Sequence, residues 1–199
     1  MKSLPLLFLN AGLASAVADE RSAAVEVYGI DKDHSQVTFQ VRHMLSRTRG
    51  RFTDFDGTIH LDREHPESSS VEFRVRAASI DTGNAQRDAH LRSGDFFSAD
   101  EYPEVAFRSE RVDLVGKDRY EATGTLSLRG VEKRLVLPVT FLGSARDPWG
   151  TVRAGFTTET VLNRKEFGMV WNAVLDNGGV MLGDEVSVTI ELEGVRQNS

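Results

Sequence analysis

Read at every second residue, this chain repeats one pattern: an apolar row, usually carrying a phenylalanine. Val37, Phe39 and Val41 make one row, and Val71, Phe73 and Val75 a second. Val105-Phe107, Leu135-Leu137-Val139-Phe141, Ala154-Phe156-Thr158 and Val186-Val188-Ile190-Leu192 continue it, each with one residue skipped. The residues between are mostly polar, as in Thr38, Gln40, Arg42 and Glu72, Arg74, Arg76. Strand side chains alternate between faces, so each row is a strand with one apolar and one wet face. Many such strands joined by short turns predict an all-β fold, an antiparallel sheet closed into a barrel or paired as a sandwich. In a barrel the phenylalanine face points into the lumen. About eight strands enclose a space that side chains fill or that holds one small apolar ligand.

Composition narrows the function classes. The 199 residues suffice for one domain with a real core. A formal charge of -6 argues against nucleic acid as a partner and against a broadly basic membrane-binding surface. With no cysteine, the chain has neither a disulfide nor a thiolate metal site. Lys2, the apolar runs Leu4–Leu9 and Ala11–Ala14, and the small-x-small triplet Ala16-Val17-Ala18 predict a signal peptide over residues 1–18. That apolar stretch is too short to span a membrane. One mature domain is expected over residues 25–196, with no linker inside it.

The alternation breaks at Thr82-Gly83. Asn84 to Leu91 reads as a short helix near residues 84–93, stopped by Gly94. Ser46 to Arg51 reads as a basic, glycine-bearing turn, and Gly57 suits a bulge or a close approach. The glycine-rich stretch from Phe167 to Asp184 is less regular.

The inward rows name the expected lumen lining: Phe39, Val41, His43, Phe73, Phe107, Leu126, Phe141, Phe156 and Ile190. His43 continues the row of Val37, Phe39 and Val41, so it points inward near a mouth. There it and Arg42 are the candidates for contact with a ligand head group. His34, His43 and His90, with Asp31 and Asp88, include the donor types that bind zinc, but no His-x-His or His-x-x-x-His spacing joins them. The favoured reading is a hydrogen-bonded cluster of Asp31, His34, Asp88 and His90 that fastens the helix over the barrel end. No metal and no cofactor is called for. Asp31, His34 and Ser35 lie too close along one extended segment to converge as a catalytic triad, and no catalytic residue is assigned. Arg42, Arg47, Arg49 and Arg51 could clamp a phosphate, although a solvated turn is the simpler reading.

Several short motifs occur in a telling order. Asp31-Lys32-Asp33-His34-Ser35 precedes Val37-x-Phe39, then come Arg42-His43-Met44, Gly50-x-Phe52-x-x-Phe55-x-Gly57 and Ser79-Ile80-Asp81-Thr82-Gly83. Arg87-Asp88-x-His90-Leu91-Arg92-Ser93 with Asp95-Phe96-Phe97 is the most specific. Tyr102-Pro103, Phe107-x-Ser109, Gly124-x-Leu126, Arg129-Gly130-Val131 and Arg164-x-x-Phe167-Gly168 follow. Together, from Tyr28 to Gly194, the chain resembles the YceI-like proteins. The resemblance implies an extended, antiparallel, eight-stranded, lipocalin-like barrel. It implies a long apolar ligand in the lumen, typically a polyisoprenoid or isoprenoid quinone, and a carrier or sequestering role in the periplasm without catalysis. Members also occur as homodimers. A binder of fatty-acid-type amphiphiles, a stress-protective module with a filled core, and a histidine-based metalloenzyme are the alternatives.

Overall fold

The computed structural model describes residues 25–174 and 180–197; the predicted signal peptide lies outside them. The first half of the chain forms β1 (Glu26–Ile30), β2 (Gln36–His43), β3 (Ser46–Phe52), β4 (Phe55–Leu61), β5 (Ser70–Arg76), β6 (Ile80–Asp81) and α1 (Ala85–Arg92). The second half forms β7 (Glu104–Gly116), β8 (Arg119–Leu128), β9 (Val131–Arg146), β10 (Val152–Asn163) and β11 (Leu182–Arg196). β1 and β2 are one barrel stave interrupted at residues 31–35. β3 and β4 are a second, interrupted at 53–54, and β5 and β6 a third, interrupted at 77–79. With β7 to β11 the staves number eight, and each pairs antiparallel with the next along the chain. β11 closes the ring, because one edge pairs with β10 and the other with β2 and then β1. The expected eight-stranded barrel is therefore present, as is the short helix. Closure removes the free edges that an open sheet would expose.

The stretch Ser46–Arg51, expected as a turn, is strand β3, and the turn itself is only Met44-Leu45. The apolar beat is missing there for a physical reason. Thr48 and Phe52 line the lumen, and between them Gly50 pairs with Phe39. A Cβ at Gly50 would lie 2.3 Å from Phe39 Cζ, so a large residue cannot occupy that inward position.

The three interruptions lie side by side and form a crease across neighbouring staves. The Thr53 amide donates to the Ser79 carbonyl (3.2 Å), the Arg76 amide to the Asp54 carbonyl (2.9 Å), and Lys32 Nζ to Asp54 Oδ1 (2.7 Å). Lumen residues on one side of the crease are packed solid. Tyr28 is fully buried and meets Phe156 edge-on at 6.0 Å, and Phe156 meets Phe141 at 5.5 Å. Ile59, Leu61, Val112 and Ala122 complete this core. Its rings bury large apolar areas and interlock, which makes the filled half the anchor of the barrel. Replacing Phe156 with alanine is expected to lower the unfolding free energy by about 3–5 kcal/mol in a urea titration. A change too small to move the midpoint would mean that this half is not tightly packed.

Candidate ligand cavity

On the other side of the crease the lumen is hollow. A cavity of about 780 Å³ runs along β2, β3 and β5, with the near ends of β7 to β11 completing its wall. That volume is in the range of small-molecule sites. The inward row of β11 from Leu182 to Ile190 spans about 26 Å at the rise of a strand, so the wall suits an elongated ligand. Two phenylalanines lie against the wall instead of projecting from it. Phe39 covers Gly50 and Phe73 covers Gly57, where a Cβ would come within 2.8 Å of Phe73 Cδ2. Each glycine makes room for a ring and so keeps space open at the centre.

Of the residues expected in the lining, Phe39, Val41, His43, Phe73, Phe107, Leu126 and Ile190 face this cavity. Phe141 and Phe156 also point inward, but into the filled half, so they are core and not lining. Alternation assigns a residue to the inner face without saying how far along the barrel axis it sits. Arg42 is a second correction: it stands exposed on the outer face opposite Arg47, away from the cavity. His43, its neighbour, stands at the rim and pairs with Leu182.

The expected polar cluster divides into two separate sites. Asp31 and His34 meet at 2.9 Å beside the crease, while Asp88 and His90 belong to α1. Asp88 is buried and accepts from the Thr82 amide (2.9 Å) and the Thr82 hydroxyl. His90 bonds Asp95 Oδ2 (2.9 Å) and stands edge-on to Phe96 (5.1 Å) and Trp171 (4.9 Å). Arg92 donates to the carbonyls of Ala78 (2.7 Å) and Ile80 (2.8 Å), and Arg87 to the Thr82 hydroxyl (2.7 Å). Asn84 caps the helix by accepting from the Arg87 amide at 3.0 Å. These bonds staple α1 across the end of the hollow half. Asn84, Gln86 and Arg87 are exposed yet also line the cavity, which places the mouth beside the start of α1.

Several lining residues escaped sequence reasoning. Arg164 is 3% exposed and donates to the carbonyls of Met169 (2.6 Å), Trp171 (2.8 Å) and Gly183 (2.9 Å). Burial pulls its pKa down from the usual guanidinium range, and Asp184 at 3.3 Å opposes this. Thr158 was legible, since it continues the inward row of Ala154 and Phe156. It sits at the floor of the cavity, next to Phe156 in that row. Among the described residues its hydroxyl is buried without a hydrogen-bond partner.

Near the crease, Asp31, His34 and Glu193 are close enough to share a metal ion. A cation already stands there: Arg153 Nη1 bonds Asp31 Oδ2 and Glu193 Oε1, both at 2.6 Å. The Arg153 bond, aided by His34, holds the Asp31 carboxyl down at about 2. The group therefore reads as a clamp joining the first stave to β10 and β11.

Residues 28–194 match the YceI-like domain. The chain belongs to the YceI-like family. A UPF0312 protein from Azotobacter vinelandii is 40% identical over 188 residues, covering 93% of this chain and 95% of the relative. A UPF0312 protein from Pectobacterium atrosepticum is 37% identical over 195 residues, covering 96% and 97%. Among solved structures, the Campylobacter jejuni YCEI protein superposes with a TM-score of 0.68 at 26% identity, covering 79% of this chain and 90% of that one. Burkholderia cenocepacia BcnA gives a TM-score of 0.73 at 23% identity, covering 82% and 98%. A polyisoprenoid binding domain from Saccharophagus degradans, implicated in plant cell wall breakdown, gives 0.64 at 18% identity, covering 85% and 98%. The YceI-like match takes in crease, cavity and helical cover together.

Two expectations follow for this YceI-like barrel. The Asp31 carboxyl ionises near 2 when folded, against an ordinary value of 3.8, so the unfolded chain binds more protons between those values. The clamp's contribution is thus complete above about pH 4 and is lost as pH falls toward 2. Denaturation midpoints measured across that window should fall less steeply in Asp31→Asn than in the wild type; equal slopes would refute the clamp. Gly50→Ala should push the Phe39 ring off the wall, at a cost of about 1–3 kcal/mol, and reduce the cavity's capacity. Thermal unfolding and ligand loading read the two effects, and unchanged loading would count against the role given to Gly50.

Proposed function

We propose that this chain binds a long apolar molecule of the polyisoprenoid type in the hollow half of its lumen. In this reading it is exported by the leader at residues 1–18 and acts in the periplasm as a carrier or sequestering protein. The observation that carries the reading is the cavity of about 780 Å³, walled mainly by Leu, Val, Ile and Phe side chains. Burial of an apolar chain there supplies roughly 0.8 kcal/mol per methylene, a term that needs no directional contact. His43, Asn84 and Arg87 at the mouth are positioned to orient a polar head group. The description of the Saccharophagus degradans domain as polyisoprenoid binding supports this choice of chain. The role is binding rather than catalysis: the lining offers enclosure and few polar groups, and its most buried charge, Arg164, is committed to backbone carbonyls.

One observation favours a second reading, a fatty-acid-type amphiphile. The unpartnered Thr158 hydroxyl at the cavity floor offers a hydrogen bond to a polar group inserted deep in the lumen. The two readings differ in which end of the ligand leads.

Native mass spectrometry of the exported protein, followed by organic extraction, tests both. A bound species of prenyl mass is expected, and an acyl mass would select the second reading. Phe39→Asp should remain folded and lose the bound species, whereas Phe141→Asp should fail by destabilising the filled half. Full retention of lipid by folded Phe39→Asp would overturn the assignment of the cavity.

A further inference from the structure

The turn between β2 and β3 breaks two local rules without any return inside the molecule. A two-residue hairpin turn favours Asn, Asp or Gly, because a central residue takes positive φ. Here the turn is Met44-Leu45, with Met44 at φ 48°. Neither side chain is repaid by burial, since Met44 is 42% and Leu45 101% exposed. The second breach is electrostatic. Arg42 and Arg47 are directly opposed across the strands, an unfavourable like-charge pair, and Arg49 and Arg51 continue the same outer face. No acidic residue occurs between Asp33 and Asp54, although the chain as a whole is acidic.

Both features lie at the cavity rim. The Met44 amide donates to the Met181 carbonyl (2.8 Å), and the Met181 amide to the Ala173 carbonyl (2.9 Å). Val174 and Val180, paired with each other, are 79% and 46% exposed beside this seam. Met181 itself lines the cavity. Apolar surface thus runs from the lumen, past Met181, to the exposed tip at Met44 and Leu45.

We infer that the Met44-Leu45 tip and its arginine collar dock the barrel mouth on an anionic lipid bilayer. The apolar tip enters the boundary between head groups and acyl chains, while Arg42, Arg47 and Arg49 meet lipid phosphates, which relieves the opposed Arg42–Arg47 charges. The acidic remainder of the molecule is repelled by the same surface, so the charge asymmetry also turns the mouth toward it. The inference rests on the proposed lipid-binding role for its purpose, because docking here would bring the mouth to the membrane that supplies or receives the ligand.

Flotation of the full exported protein with phosphatidylcholine vesicles, with and without phosphatidylglycerol, tests docking independently of lumen contents. Wild type should float with the anionic vesicles, and added salt should reduce binding. The double variant Met44→Gly with Leu45→Asn puts glycine at the one positive-φ position and a polar turn residue after it, so its melting temperature should hold or rise. Its vesicle-bound fraction should nevertheless fall about tenfold. Arg42→Gln with Arg47→Gln should abolish the preference for anionic vesicles. Undiminished flotation of the Gly-Asn variant would overturn the proposal. Wild type that floats with neither vesicle would do so too, and would leave the patch to a protein partner. Native mass spectra of the same samples report lumen occupancy separately: a loaded protein that ignores vesicles refutes docking alone, and an empty one that binds them refutes the lipid-binding role alone.

Discussion

The structure depends on β11 being held along both edges. Its fifteen residues pair with β10 on one side and with β2 and β1 on the other, which closes the ring. Once the ring is closed, an alternating strand no longer has simply a buried and an exposed face. Its faces become inside and outside, and every inward side chain must share one confined space. Whether that space is full or hollow then depends on the size and depth of each inward residue.

The crease divides this space. Beyond it Tyr28, Phe141 and Phe156 interlock and fill the lumen; before it Val186, Val188, Leu137 and Thr160 are too short to meet across the barrel. Phe39 and Phe73 would fill the hollow half if their rings stood upright. Gly50 and Gly57 instead let them lie flat. The same residue type thus serves as core at one end and as smooth wall at the other, according to what faces it on the next strand. The Arg153 clamp and the bonds of α1 to Thr82, Ala78 and Ile80 hold the two ends of this arrangement, at the crease and at the mouth.

Much of this was legible in the residues. The two-residue rows located the strands other than β3 and their inner faces, and the loss of alternation after Thr82 located α1. His43 extends an apolar row to its end, which is the local signal for the position it takes at the cavity rim. The misplaced site residues share one cause. Phe141 and Phe156 were read as lining, Arg42 as a head-group contact, and Asp31, His34, Asp88 and His90 as one cluster. In each case sequence proximity or alternation stood in for distance across the ring. Asp31 keeps His34, but Arg153 and Glu193, which complete its clamp, are more than a hundred residues away in sequence and no local pattern points to them.

By itself, the sequence determined an all-β chain whose strands hide one face, a short helix after the break at Thr82-Gly83, and an inner face rich in phenylalanine. It could do so because alternation and capping are local, governed by residues a few positions apart. Only the tertiary structure decided that half of that lumen is hollow, where its mouth lies, and which charges meet. Those outcomes depend on register around a closed sheet, which sets the depth of each inward side chain and its neighbour on the facing strand.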